Sequence, residues 1–310
     1  MLERLCGNEA LKENLSAALA AGRLPHSVLL CGAGGLGKNF AARLLAADYL
    51  YPAGGPGAEA VLADRSPECL VVRAEGAADI IPVARVREVR AAVRATGLSA
   101  EGRVALIEDA QKMQAAAANA LLKVLEEPPT GVLFLLTTDS EAAILPTIRS
   151  RCAAYTLAPL ERQDCVRLLC ARGCPAEDAA FLSAVYGGAL GRCLAAAGDP
   201  QRFALLQTAA EFVSLSARGD RFGLLAAAKE FETKARREEA GIFLSDLAEL
   251  YAAALDGREI PGLPAVSRPA AARALPAVFE AARRLRAAGN AKLVCTLLAL
   301  RLAGADAARP

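Results

Sequence analysis

Residues 28–39 read VLLCGAGGLGKN, and this stretch constrains the chain more than any other. Val28, Leu29, Leu30 and Cys31 form a short apolar run, as expected of a strand buried on both faces in a parallel sheet. The run passes into Gly32-Ala33-Gly34-Gly35-Leu36-Gly37-Lys38-Asn39. Beyond it, Phe40, Leu44 and Ala47 recur at helical spacing. Strand, glycine loop, lysine and helix thus follow in the order that a phosphate-cradling P-loop needs. Glycines let the backbone turn its N–H groups inward around an anion with no side chain in the way. The helix N-terminus adds partial positive charge, and Lys38 supplies a point charge for the β- and γ-oxygens of a nucleotide. At the next position a Ser or Thr hydroxyl ordinarily holds Mg²⁺, and Asn39 stands there instead. An amide oxygen reaches further and orients differently. The loop is therefore expected to hold phosphate and to be poorly fitted to hydrolysis. The competing reading is a glycine turn with no ligand.

With 310 residues, the chain has room for two or three domains of ~150 residues each. Alanine dominates a composition that is 54% hydrophobic but only 5% aromatic, which favours helix over sheet. The net charge of +2 gives no global basic field, so any nucleic-acid contact must come from a local patch. Nine cysteines without paired spacing fit a reducing, cytoplasmic setting. Glu3, Arg4, Lys12 and Glu13 argue against a signal peptide. No apolar run approaches ~18 residues, so no transmembrane span or membrane partner is expected.

Taken in order, residues 8–21 read as a helix with Leu11, Leu15 and Leu19 on one face. His26, the one histidine, reads as a structural residue at a strand entrance, since no partners for catalysis or metal binding accompany it. Residues 51–68 form a Pro/Gly-rich insert expected to be loop, partly disordered. Cys69 follows alone, and a zinc site needs about four ligands. Residues 69–73 read as a second strand and 83–95 as a helix carrying Arg85, Arg87, Arg90 and Arg94. Those arginines suit either a phosphodiester backbone or a solvated face.

Residues 104–109 form an apolar strand ending in Glu108-Asp109. At the end of such a strand one acid can hold Mg²⁺ and its neighbour can orient an attacking water; the bland reading is two acids that merely end a strand. A helix is expected over 111–127, stopped by Pro128-Pro129, then a buried strand over 132–136 that ends at Thr137-Thr138-Asp139. A polar residue at that tip is placed to touch a γ-phosphate. This alternation implies a doubly wound parallel sheet. From Leu160 onward the pattern is nearly all helix, with a proline-rich break over 261–269. Val278, Ala282 and Leu285 form one apolar stripe, and Leu293, Leu297 and Leu300 another, each suited to packing on helices of this chain or of a neighbour. Cys165, Cys170 and Cys174 lie close without a fourth ligand and read as core or surface thiols.

Several segments together carry a family resemblance. They are Gly22-Arg23-Leu24-Pro25-His26, the VALIEDAQKM of residues 104–113, the ANALLKVLEEPP of residues 118–129, Ser150-Arg151-Cys152, and Asn290-Ala291-Lys292-Leu293. In this order, over nearly its whole length, the chain resembles the delta-prime subunits of the bacterial DNA polymerase III clamp loader, within the AAA+ proteins. The resemblance implies an α/β fold plus an all-α part. The expected layout is a RecA-like nucleotide-binding module over 1–157, a small helical lid over 158–203 and a helical collar over 204–310. It implies delta and gamma/tau subunits, the sliding clamp and primed DNA as partners. It makes Arg151 an arginine finger for ATP on a neighbouring subunit, worth about 10³–10⁵ in rate in other NTPases. Thr137 or Thr138 matches the first sensor, Arg192 the second, and the helix bearing Arg87 and Arg90 one that follows DNA.

Two departures from that pattern matter. ATP-hydrolysing relatives have Thr or Ser after the lysine and an Asp-Glu pair at the second strand, whereas this chain has Asn39 and Glu108-Asp109. ATP or ADP binding remains an expectation, Mg²⁺ stays open, and weak or absent hydrolysis is expected. Many relatives carry a four-cysteine zinc module where this chain has its insert and Cys69 alone, so no zinc is expected. An active gamma/tau-like motor subunit is the alternative, and an unrelated P-loop kinase or NTPase a more distant one. Nothing in the chain suits nucleotidyl transfer, so a polymerase label belongs to the holoenzyme.

Overall fold

In the computed structural model, which describes residues 1–76, 78–94, 102–231, 237–287 and 289–305, the run before the glycine loop is an inner strand of a parallel sheet. The chain divides into two units, Met1–Leu160 and Glu161–Pro310. The first contains α1 (Glu9–Ala20), β1 (Ser27–Cys31), α2 (Lys38–Leu50), α3 (Pro56–Leu62), β2 (Cys69–Val72) and α4 (Val83–Arg94). It continues with β3 (Arg103–Ile107), α5 (Ala115–Glu126), β4 (Val132–Thr138), α6 (Pro146–Arg149) and β5 (Ala153–Thr156).

The five strands lie in the order β2-β3-β4-β1-β5 and every pairing is parallel. Helices cover both faces, which explains the unbroken apolar strands. Val28 and Leu30 pack with α1, α2 and α3, while Leu29 and Cys31 pack with residues of α4 and α5. The register pairs Cys31 with Thr138 and Ile107 with Leu136. The carboxyl ends of β1, β3 and β4 therefore meet at one edge. After β1 the chain crosses to β2 at the far side of the sheet, so β1 marks a topological switch point, where open α/β sheets place ligands.

Four local expectations change. The 51–68 insert contains α3, begun by Gly55 at φ 91° and Pro56 in the first turn, with Ala58 and Val61 buried. Pro is tolerated there because its missing N–H would be unbonded anyway. The expected 111–127 helix is a 3-10 turn, Ala110–Lys112, followed by α5. The break has a cause: Ile81 N–H donates to the Lys112 carbonyl at 2.9 Å and Gln114 N–H donates to the Ile81 carbonyl at 3.4 Å. β4 runs on through Thr137 and Thr138, both fully buried. β5 has no counterpart in the expectations, since its alternately exposed edge residues show no apolar run. The helix expected over 83–95 is α4, and Ala95 lies outside the described residues.

The second unit is helical: α7 (Arg162–Cys170), α8 (Ala176–Tyr186), α9 (Leu190–Ala197), α10 (Pro200–Ala217), α11 (Arg221–Ala228), α12 (Arg237–Leu255), α13 (Arg268–Arg286) and α14 (Ala291–Ala305). Phe243 lies at its centre, with ring centroids 5.3 Å from Phe212 and 4.6 Å from Phe231. Asp246 is fully buried and receives Arg202 and the Tyr186 hydroxyl. Among the described residues no helix is long and apolar enough to cross a membrane.

Candidate nucleotide-binding site

The glycine loop closes the carboxyl end of β1. Gly32, Gly35 and Gly37 hold φ of 150°, 84° and 86°, values that L side chains rarely adopt. Gly32 also has no room for a side chain, because a Cβ there would lie 2.9 Å from the Leu157 carbonyl oxygen. Its N–H donates to the Thr138 carbonyl at 3.1 Å, which ties the loop to the tip of β4. Gly34 faces open space, and Leu36 packs down on the core around Leu5 and Leu157. α2 starts at Lys38, so its N-terminus points into the loop.

Lys38 is 6% exposed. Its Nζ lies 2.8 Å from Asp139 Oδ1 and donates to the Ala33 carbonyl at 3.1 Å. The other oxygen of Asp139 accepts from Gln111 Nε2 at 3.2 Å. Asn39 is engaged as well: its Oδ1 accepts from the Thr137 hydroxyl at 2.7 Å. That hydroxyl oxygen in turn accepts the Asp109 N–H at 2.9 Å. The edge thus gathers Gly32, Gly34, Gly35, Leu36, Gly37, Lys38, Asn39, Asp109 and Thr137. Positive φ, a helix start and a buried lysine fit a phosphate; the carboxylate on that lysine opposes one.

The two acids after β3 part company. Asp109 sits at φ 53° with its carboxylate 3.4 Å from Lys112. Glu108, 6% exposed, is gripped by Arg43 of α2 and by Arg73 Nε at 2.9 Å, and Arg73 also holds Asp64 of the insert at 2.5 Å. Glu108 is therefore a link in a chain of ion pairs between α2, the segment after β2 and the insert. Next to that chain, burial pushes the Cys69 thiol up to about 12. Arg43, Arg73, Gln111 and the pairing role of Asp139 escape sequence reasoning. An acid directly after the strand paired with the P-loop strand was the available signal for Asp139.

Among the remaining candidates, Arg151 and Arg192 are held by other partners. Arg151 follows α6 with its side chain 35% exposed. Its guanidinium donates to the Thr147 carbonyl at 2.8 Å and pairs with Glu126 at 2.7 Å. Arg192 belongs to the second unit, paired with Glu249 and stacked 4.6 Å over the Tyr186 ring. On α4, Arg85 is taken by Glu75 and Glu88, whereas Arg87 and Arg90 form no ion pair with another described residue. His26 Nε2 lies 3.3 Å from the Leu125 carbonyl. Among the described residues no group of three or more His, Cys, Asp or Glu side chains is placed to hold a metal.

A glycine loop and lysine at the switch point of a five-stranded parallel sheet, in a chain that continues into a helical unit, define an α/β fold of P-loop type. The family model described as "DNA polymerase III, delta subunit" matches residues 7–161. The delta' subunit of DNA polymerase III from Escherichia coli is 31% identical over 265 residues, 81% of this chain and 78% of that protein. The gamma/tau subunit from Mycobacterium tuberculosis is 35% identical over 188 residues, 58% of this chain; the chain spans only 32% of its length. In fold, the chain is similar to the crystal structure of a DNA polymerase III gamma subunit-related protein from Thermotoga maritima. That likeness has a TM-score of 0.51 at 17% identity over 93% of this chain and 99% of that one. The chain belongs to the DNA polymerase III delta-subunit family.

Proposed function

We propose that this chain is a delta-prime-type subunit of a clamp loader, working in the cytoplasm within a hetero-oligomer that places a sliding clamp on primed DNA. In this reading its own ATPase is weak or absent, and Arg151 serves the ATP site of a neighbouring subunit. The carrying observation is a contrast between two cations. Lys38 is buried and neutralised by Asp139 at the tip of β4, while Arg151 sits in a surface turn, held by Glu126, the Thr147 carbonyl and the Ser150 hydroxyl. The match to the E. coli delta' subunit over most of both chains supports the same assignment. Residues 158–203 act as lid and 204–310 as collar, with the exposed Leu293, Leu297 and Leu300 of α14 meeting a neighbour. Arg87 and Arg90 supply a local DNA contact, as a chain of net charge +2 requires.

The second reading, a gamma/tau-like motor subunit, draws on the 35% identity to gamma/tau and on the intact glycines and Lys38. Two measurements separate them. Gel filtration with partner subunits tests assembly, and a chain that never enters a hetero-oligomer is no clamp-loader subunit. Phosphate release by the isolated chain with ATP and Mg²⁺ tests the motor, and steady hydrolysis favours gamma/tau.

A further inference from the structure

We propose that Asp139 takes the place of a nucleotide's terminal phosphate on Lys38, so that the P-loop of this chain is closed by its own carboxylate. The inference rests on reading the glycine loop as a phosphate cradle. Two contacts and the burial of Lys38 carry it. Lys38, the loop's single side-chain cation, meets Asp139 Oδ1 at 2.8 Å, the geometry of a charge-assisted bond to an anionic oxygen. Lys38 is nearly buried, so its ammonium has little water to fall back on and needs an anion beside it. Gln111 donates to the second oxygen of Asp139 at 3.2 Å and so holds the carboxylate in place.

A tethered anion competes at high effective concentration, and it never leaves. An entering polyphosphate must displace Asp139 from Lys38 and then tolerate its negative charge close by, an interaction that disfavours two anions at one site. The neighbouring contact acts in the same direction. Asn39, at the position that would face a metal-bound phosphate, already accepts the Thr137 hydroxyl at 2.7 Å. The side chains of Lys38 and Asn39 thus both have partners from the tip of β4. The chain holds one conformation at this edge whatever the nucleotide supply, which suits a subunit that presents a fixed surface to a neighbour.

The test is calorimetric titration of the full-length chain with ATP, ADP and inorganic pyrophosphate, with and without Mg²⁺. Asp139→Asn removes the charge and keeps the shape; Asp139→Ala is a second variant at this half-exposed position. Both are expected to bind at least ~10-fold more tightly than the unaltered chain. Adding Lys38→Ala to Asp139→Asn is expected to erase the gain. Equal, measurable affinity of the unaltered chain and both variants overturns the stand-in role and leaves the phosphate cradle standing. No binding by any form at millimolar ligand overturns the cradle as well. A gain that survives Lys38→Ala places the new ligand elsewhere and also overturns the proposal. Assembly with partner subunits is scored separately, so a failure here does not count for or against the clamp-loader assignment.

Discussion

Glu108 and Asp109 are neighbours with different work to do. Glu108 is buried between Arg43 and Arg73, and Arg43 Nε has no hydrogen-bond partner among the described residues. Removing the carboxylate leaves a buried guanidinium without its counter-ion. Glu108→Ala should cost ~3 kcal/mol, the low end for breaking a buried pair because Arg73 stays half exposed. Asp109→Ala touches a partly exposed acid whose ion pair with Lys112 spans 3.4 Å, and should cost no more than ~1 kcal/mol. Urea titration of the two variants checks this, and equal losses would contradict the ion-pair chain. Thiols are informative at the same scale. Burial pushes Cys69, Cys152 and Cys295 up to about 12, so at neutral pH only on the order of one in 10⁵ is thiolate. Alkylation of the native chain followed by peptide mass spectrometry should label exposed Cys170 and spare those three until denaturant is added. Early labelling of Cys69 or Cys295 would show that their surroundings open.

Two apolar stripes that read alike fare differently once folded. In α13, Val278 is fully buried and Leu285 is 5% exposed, whereas Leu293, Leu297 and Leu300 of α14 are 63%, 43% and 54% exposed. The opposite side of α14, with Cys295, Leu298 and Leu302, already fills the core. Spacing states that a helix has an apolar face; only tertiary structure decides how many such faces the core absorbs. The same limit explains what else was hidden. β1, the glycine loop and α2 were legible because strand run, glycines and helical spacing coincide there. α3 was masked by its Gly-Gly-Pro-Gly entrance, and β5 by edge residues that need no apolar run. The different fates of Glu108 and Asp109 depend on Arg43 and Arg73, which come from separate elements. Exposed positions tolerate substitution, so Leu293→Glu with Leu297→Glu should shift the midpoint of the isolated chain little, by ~0.5 kcal/mol per site. The same double variant should fail to co-elute with partner subunits. Normal co-elution would remove α14 from the assembly surface.

At the scale of the whole molecule, the first unit holds two cations in different settings, Lys38 closed off by Asp139 and Arg151 in a surface turn. Arg151 is suited to meeting a neighbour's phosphate. Its planar guanidinium is always charged and can grip two oxygens of a phosphate at once. The partners it now has are weak ones: a half-exposed Glu126, a carbonyl one turn back and the hydroxyl of Ser150 beside it. Surface pairs of that kind contribute about 0–1 kcal/mol, so a neighbour's phosphate can draw the side chain away at little cost. Arg151→Ala in a reconstituted loader should abolish turnover at the one ATP site it serves, a loss of about 10³ or more at that site. Total DNA-stimulated ATPase falls by that site's share, while assembly stays intact. Arg151→Lys should fare little better, because an ammonium keeps the charge but not the fork. Glu126→Ala should leave turnover unchanged or raise it, since it only frees the finger. Unchanged single-site turnover in Arg151→Ala, with assembly intact, would show that the neighbour's phosphate is met by another residue. The turn at residues 150–152 would then be structural.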